Sequence, residues 1–138
     1  MNRFKFNELT IGQSHTFQNV ILEEHVSAFS KVSGDFNPLH MDASYARSRG
    51  YKDRVVFGML VASLLSQLVG MYLPGENALL HEVQTSFLKP VFIGDILSVH
   101  GKITELHENF RQLELQVNIV NQDGVKVVRA KIKAGCHV

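Results

Sequence analysis

The residue types in this chain that could carry out acid–base chemistry lie together in the short stretch 33–42. Asp35 and His40 are five residues apart, and Asn37 and Pro38 stand between them. A proline has no N–H for a strand ladder and disfavours helix in the residue before it, so this stretch is predicted to be a bend. A bend can bring the carboxylate and the imidazole to the same water molecule, where they would form a general acid–base pair.

Other interpretations of these residues stay open on spacing alone. Asp35 could instead end a helix or close an Asx turn, and Asn37 with Pro38 could only shape the backbone. Asp42 lies two residues beyond His40, which is a spacing that metal ligands can use. No third ligand is apparent near them, so no metal site is predicted.

The size and charge of the chain restrict its class. It has 138 residues, which predicts one domain spanning 1–138, and 14 basic against 13 acidic residues leave a formal charge of +1. This balance predicts no nucleic-acid partner. A single cysteine, Cys136, excludes an internal disulfide and is expected to be a small buried hydrophobe. With no apolar segment after the N-terminal residues, the sequence predicts a cytoplasmic protein.

Three stretches have helical patterns. Residues 22–33 are amphipathic and precede Gly34, a plausible C-cap, while residues 44–49 are predicted to begin at Ser44 as N-cap and stop at Gly50. Residues 59–73 contain no charged side chain, which predicts a helix buried on nearly every side. This run is shorter than the roughly 20 apolar residues that cross a bilayer, so no membrane association is predicted.

The C-terminal half alternates in the manner of β-strands. Strands are predicted at 79–89, 95–105 and 110–121, and another follows the hairpin signal Asp123-Gly124. With an N-terminal strand region and the charge-free helix, these strands predict an α+β fold. In this fold a curved antiparallel sheet wraps around one central buried helix.

Several of these segments resemble the MaoC-like (R)-specific enoyl-CoA hydratases. The resemblance is carried by four segments, Ser33-Gly34-Asp35-Phe36-Asn37-Pro38-Leu39-His40-Met41-Asp42, Tyr45-Ala46, Val56-Phe57-Gly58-Met59-Leu60 and Phe87-Leu88-Lys89-Pro90-Val91-Phe92-Ile93-Gly94-Asp95. It covers roughly residues 20 to 135. It implies a hotdog fold, usually paired as a homodimer, and catalytic roles for Asp35 and His40.

The resemblance also implies roles for residues outside the acid–base pair. Gly58 would offer its backbone N–H to the thioester oxygen, and Ser66, rather than Ser63, would lie beside the pair. Asn37 is grouped with these substrate-binding candidates, although it is expected mainly to order its loop. The family commonly has His-Gly where this chain has Phe57 followed by Gly58, a difference that bears on pocket shape and substrate range rather than on the reaction.

The resemblance implies reversible hydration of a trans-2-enoyl thioester, carried by coenzyme A or acyl carrier protein, to the (R)-3-hydroxyacyl thioester. This chemistry requires no metal and no cofactor beyond the substrate's own carrier. A hotdog thioesterase is one alternative, but such enzymes usually have an Asp or Glu on the central helix, and residues 59–73 have neither. A non-catalytic subunit that binds acyl thioesters is the other alternative.

Overall fold

One antiparallel sheet of five strands dominates the computed structural model, which describes residues 1–138. The strands occur in the spatial order β1-β3-β4-β5-β2, so that β1 and β2 form the two edges. Their bounds are β1 (Ser14–Val20), β2 (Ala78–Phe87), β3 (Ile96–His107), β4 (Gln112–Val120) and β5 (Lys126–Cys136). The sheet confirms the predicted α+β class and all four predicted C-terminal strands.

Four α-helices precede the second strand. They are α1 (Glu23–Ser33), α2 (Pro38–Met41), α3 (Ala43–Ser48) and α4 (Gly58–Gln67). A π-helical turn, Leu68–Tyr72, continues α4 to the end of the charge-free run. As predicted, α1 ends at Gly34, whose positive φ of 73° is the left-handed conformation that glycine adopts without strain. None of the helices has the length and apolar character needed to cross a membrane.

The core lies between α4 and the inward face of the sheet. The alternation in β4 and β5 decides which side chains face inward, and every second residue of both strands is buried as predicted. Val61, Leu65 and Leu68 from α4 and its π-helical turn join the same hydrophobic cluster. The helix approaches β3 so closely that a Cβ at Gly101 would lie 2.5 Å from a methyl group of Leu68.

One side of α4 is open, contrary to the prediction that the helix is buried on nearly every side. Met59 is 62% exposed, and Ser63 and Ser66 are also exposed. These positions recur at helical spacing and therefore form one strip along the helix. The strip is open because the sheet of a single chain covers only the opposite face.

The short helices differ from the sequence predictions in two ways. The stretch around Pro38 is a helical turn rather than a simple bend, because proline at the first helical position loses an N–H that would be unpaired anyway. Asn37 caps this turn, with the Leu39 N–H donating to Asn37 Oδ1 at 2.9 Å. The next helix, α3, is capped by Asp42 instead of Ser44, since Asp42 Oδ1 accepts from the N–H groups of both Ser44 and Tyr45.

Candidate active site

His40 is held in one orientation by a backbone carbonyl. Its Nδ1 lies 2.6 Å from the carbonyl oxygen of Val55. A carbonyl oxygen can only accept a hydrogen bond, so Nδ1 carries the proton that it donates. In the neutral ring, Nε2 is therefore the unprotonated nitrogen, and it makes no hydrogen bond within the chain. His40 thus presents a proton acceptor to whatever lies in front of Nε2.

An aromatic stack supports the same imidazole. The ring of Phe57 is only 2% exposed and its centroid lies 4.1 Å from that of His40. On the far side of Phe57, the ring of Phe29 from α1 lies 4.9 Å away between centroids. The three rings join α1, α2 and the start of α4, so the imidazole is tied to two larger helices.

Gly58 supplies an unpaired backbone donor. It is the first residue of α4, and its N–H has no hydrogen-bond partner within the chain. The first N–H groups of a helix lack partners in the preceding turn, and they favour negative charge placed near them. A Cβ at this position would lie 3.1 Å from the Phe87 ring, which leaves little space for a side chain between helix and strand.

His40 and Gly58 line the same cavity. Its volume is about 310 Å³, and nine of its 13 lining residues are hydrophobic, so these two groups act in mainly apolar surroundings. The other lining residues come from the segment before α4, from α4, from the end of β2 with the loop after it, and from the start of β5: Tyr51, Val55, Val56, Val61, Phe87, Leu88, Lys89, Pro90, Val91, Val127 and Val128. The cavity therefore places an imidazole and a free N–H beside a mainly apolar wall.

The remaining predicted site residues lie outside the lining of this cavity. Asp35 is exposed, and its Oδ1 accepts from the Asn37 N–H at 3.0 Å in a turn that leads into α2. Asn37 is the cap of that helix, as expected of a residue that orders the loop. Ser66 lies on the open strip of α4 without a hydrogen bond, whereas the Ser63 hydroxyl donates to the Leu60 carbonyl.

Two contributors to the site had no predicted role. The Val55 carbonyl belongs to the backbone, so its role cannot be predicted from the type of side chain at this position. Phe87 lies within one of the segments that carry the family resemblance, but its packing against Gly58 depends on β2 passing the start of α4. Only the folded chain brings these two positions together.

Other titratable groups are separate from this cavity. Glu105 and Glu114 are paired across β3 and β4, and their carboxylates lie 3.3 and 3.1 Å from His107 Nε2. These three residues could hold a metal ion by ligand type, but all three also remain in contact with solvent. Burial raises the pKa of the Cys136 thiol, so this cysteine stays protonated and is a poor nucleophile.

The antiparallel sheet with its central helix is a hotdog fold, which the solved R-hydratases share. The family model described as MaoC like domain matches residues 6–125. The chain therefore belongs to the MaoC-like family, as the resemblance in its sequence indicated.

Named relatives agree with this assignment and identify the chain as a hydro-lyase. The chain is 36% identical to the (R)-specific enoyl-CoA hydratase of Aeromonas caviae over 120 residues, which cover 87% of this chain and 90% of the relative. It is 31% identical to the 3-hydroxybutyryl-CoA dehydratase of Methylorubrum extorquens, with coverage of 80% and 70%. The solved structure of R-hydratase PhaJ1 from Pseudomonas aeruginosa superimposes with a TM-score of 0.91 at 30% identity, covering 97% of this chain and 86% of that one.

Proposed function

We propose that this protein reversibly hydrates a trans-2-enoyl thioester to the (R)-3-hydroxyacyl thioester. The observation that carries the proposal is the presence of His40 and the free Gly58 N–H in one largely apolar cavity. The named activities of the A. caviae and M. extorquens relatives support the thioester substrate. The (R) configuration is proposed from the name of the A. caviae hydratase.

The proposed reaction needs two proton transfers and one stabilised oxyanion. Water loses a proton as its oxygen bonds to C3, the electron pair of the double bond moves toward the thioester, and C2 then gains a proton. We assign the two transfers to Asp35 and His40, which together would contribute about 10²–10⁴-fold in rate. The Gly58 N–H would stabilise the negative charge on the thioester oxygen, a contact typically worth about 3–4 kcal/mol.

The thioester carrier is coenzyme A or acyl carrier protein. Both carriers occur among the relatives, since an Arabidopsis thaliana protein that is 37% identical over 87 residues is named a 3-hydroxyacyl-[acyl-carrier-protein] dehydratase. The proposed mechanism uses neither a metal ion nor a further cofactor. A cytoplasmic location and the absence of nucleic-acid and membrane partners remain predictions from the sequence.

The proposed assembly is a homodimer associated through β2. This strand forms one edge of the sheet, and the large apolar residues along it and just beyond it are 37–50% exposed: Leu79, Leu80, Val83, Phe87 and Leu88. An exposed apolar edge strand is a template for pairing with another strand. A second copy of the chain would cover these side chains.

An assay on a short trans-2-enoyl-CoA tests the proposed reaction. Loss of the enone absorbance without release of free thiol is the expected result, because hydration removes the double bond and leaves the thioester intact. Release of thiol would indicate a thioesterase. If neither signal changed with substrates of several chain lengths, on coenzyme A and on acyl carrier protein, a binding subunit would be the better conclusion.

Replacing either proposed proton carrier tests the mechanism. We expect Asp35→Asn and His40→Ala each to lower kcat by about 10²–10⁴-fold, since each removes one transfer site. Asp123→Asn and His100→Ala replace exposed residues of the same types and should leave kcat unchanged. Circular dichroism and thermal unfolding would verify that the variants fold. Normal turnover in a folded Asp35→Asn or His40→Ala protein would refute the assignment.

A further inference from the structure

The segment 55–58 contacts His40 and contains the free Gly58 N–H. Val55 supplies the carbonyl that accepts from His40, Phe57 supplies the ring that packs on it, and Gly58 supplies the free N–H. We infer that Phe57 is a positioning residue, which holds His40 with Nε2 unprotonated and directed away from Val55. This inference rests on the proposed function, because it assigns Phe57 a role in the same reaction.

Backbone hydrogen bonds on both sides hold the segment 55–58 in place. The Val55 N–H donates to the Leu39 carbonyl at 3.1 Å, which ties the segment to the helix that carries His40. The Val56 N–H donates to the Val91 carbonyl at 2.8 Å, which ties it to the loop after β2. Both sides of the segment are therefore fixed by backbone hydrogen bonds, independently of any side chain.

Phe57 is the side chain that connects this fixed segment to the imidazole of His40. The Val55 hydrogen bond fixes one atom of the ring, but the ring could still rotate about that atom. Phe57 covers a face of the imidazole at 4.1 Å between centroids, with an angle of 34° between the planes, and so opposes this rotation. Because Phe57 is itself buried and backed by Phe29, it cannot move aside without disturbing the core.

Contrary to the expectation that Phe57 bears on pocket shape, it does not line the cavity that holds His40 and Gly58. A substrate in that cavity would contact the imidazole and the N–H, but not the phenyl ring behind them. Loss of the ring should therefore change the rate of proton transfer and leave substrate binding almost unchanged. A residue that shaped the substrate pocket would affect KM instead.

Two measurements test the inference, and the first does not depend on activity. Long-range ¹⁵N–¹H correlation spectra of the wild-type protein, at a pH where His40 is neutral, should show a protonated Nδ1 and an unprotonated Nε2. This holds even if the protein proves inactive toward enoyl thioesters, so failure of the inference is distinguishable from failure of the proposed function. A proton on Nε2 in the neutral ring would overturn the inference.

The second measurement compares variants. Phe57→Leu should lower kcat by about 10- to 100-fold, the size of effect that small misplacements of catalytic groups produce, with little change in KM. Its His40 resonances should shift toward a mixture of the two tautomers. Phe57→His retains a planar ring and should restore both the kcat and the single tautomer.

Phe17→Leu is the matched control. Phe17 is a half-buried aromatic residue of β1 that packs on Tyr72 at 5.1 Å between centroids and makes no ring contact with His40. This substitution should leave the kcat and the His40 resonances unchanged. If Phe57→Leu retained the wild-type kcat and His40 spectrum, or if it raised KM at constant kcat, Phe57 would not be a positioning residue.

Discussion

At Gly58 the missing side chain lets the start of α4 approach the Phe87 ring closely. We expect Gly58→Ala to lower kcat/KM by about 10- to 200-fold, the range associated with one misplaced carbon in a binding pocket. The added Cβ would lie 3.1 Å from the ring of Phe87, so this ring, which also lines the cavity, must move aside slightly. Steady-state kinetics on an enoyl thioester would measure the change.

Thermal unfolding provides the control for Gly58→Ala. A cooperative unfolding transition would verify that the variant folds, because the helix-forming tendency of alanine is set against the displacement of the Phe87 ring. Unchanged kcat/KM in the folded variant would mean that the substrate does not approach this N–H.

Asp42 illustrates how a single carboxylate decides where a helix begins. Its Oδ1 accepts from two N–H groups at the start of α3. Asp42→Ala should therefore lower the free energy of unfolding by about 1 kcal/mol, the usual value of an N-cap. Ser44→Ala, which alters the residue that the sequence favoured as cap, should have no measurable effect in the same urea titration. Equal losses in the two variants would contradict this assignment.

At the scale of elements, the close approach of α4 to β3 depends on Gly101. Gly101→Ala should lower the free energy of unfolding by about 1–3 kcal/mol, since its Cβ would overlap the side chain of Leu68 in a filled core. Gly70→Ala is the matched control, because nothing lies within 4 Å of a Cβ there. Chemical denaturation of both variants measures the difference, and a fully stable Gly101→Ala protein would show that the helix can move away from the sheet.

Most helices and strands were predictable because burial of one face spaces the apolar residues regularly along the sequence. Leu113, Leu115 and Val117 alternate with polar residues, and this pattern alone identifies β4 and its inward face. The cap of α3 was not predictable in the same way, because Asp42 and Ser44 are both good caps and only the backbone path decides between them.

The candidate site was likewise predictable only in part. Its side chains stand in recognisable segments, so Asp35, His40 and Gly58 could be proposed from sequence. The Val55 carbonyl could not, since every residue type offers the same backbone C=O. The open strip of α4 also escaped prediction, because an apolar sequence does not reveal whether its cover comes from the same chain or from another.

At the scale of the whole molecule, the exposed edge of β2 predicts association. Val83→Lys places a charge on this strand, where Val83 is 39% exposed, and should shift a homodimer toward monomer in sedimentation velocity. Val32→Lys is the matched control, because Val32 is 86% exposed on α1, far in sequence from this edge. A wild-type monomer, or a Val83→Lys dimer as tight as the wild type, would refute the proposed interface.

Phe87 belongs to two surfaces at once. It lines the cavity beside Gly58, and it is 50% exposed at the end of the edge strand β2. A residue shared in this way would couple homodimer formation to thioester binding. Such coupling is reciprocal, so pairing of the edge strands and binding of the thioester would strengthen each other by the same factor. The substrate would then also be an effector of quaternary structure, and the oligomer would respond to the metabolite that it consumes.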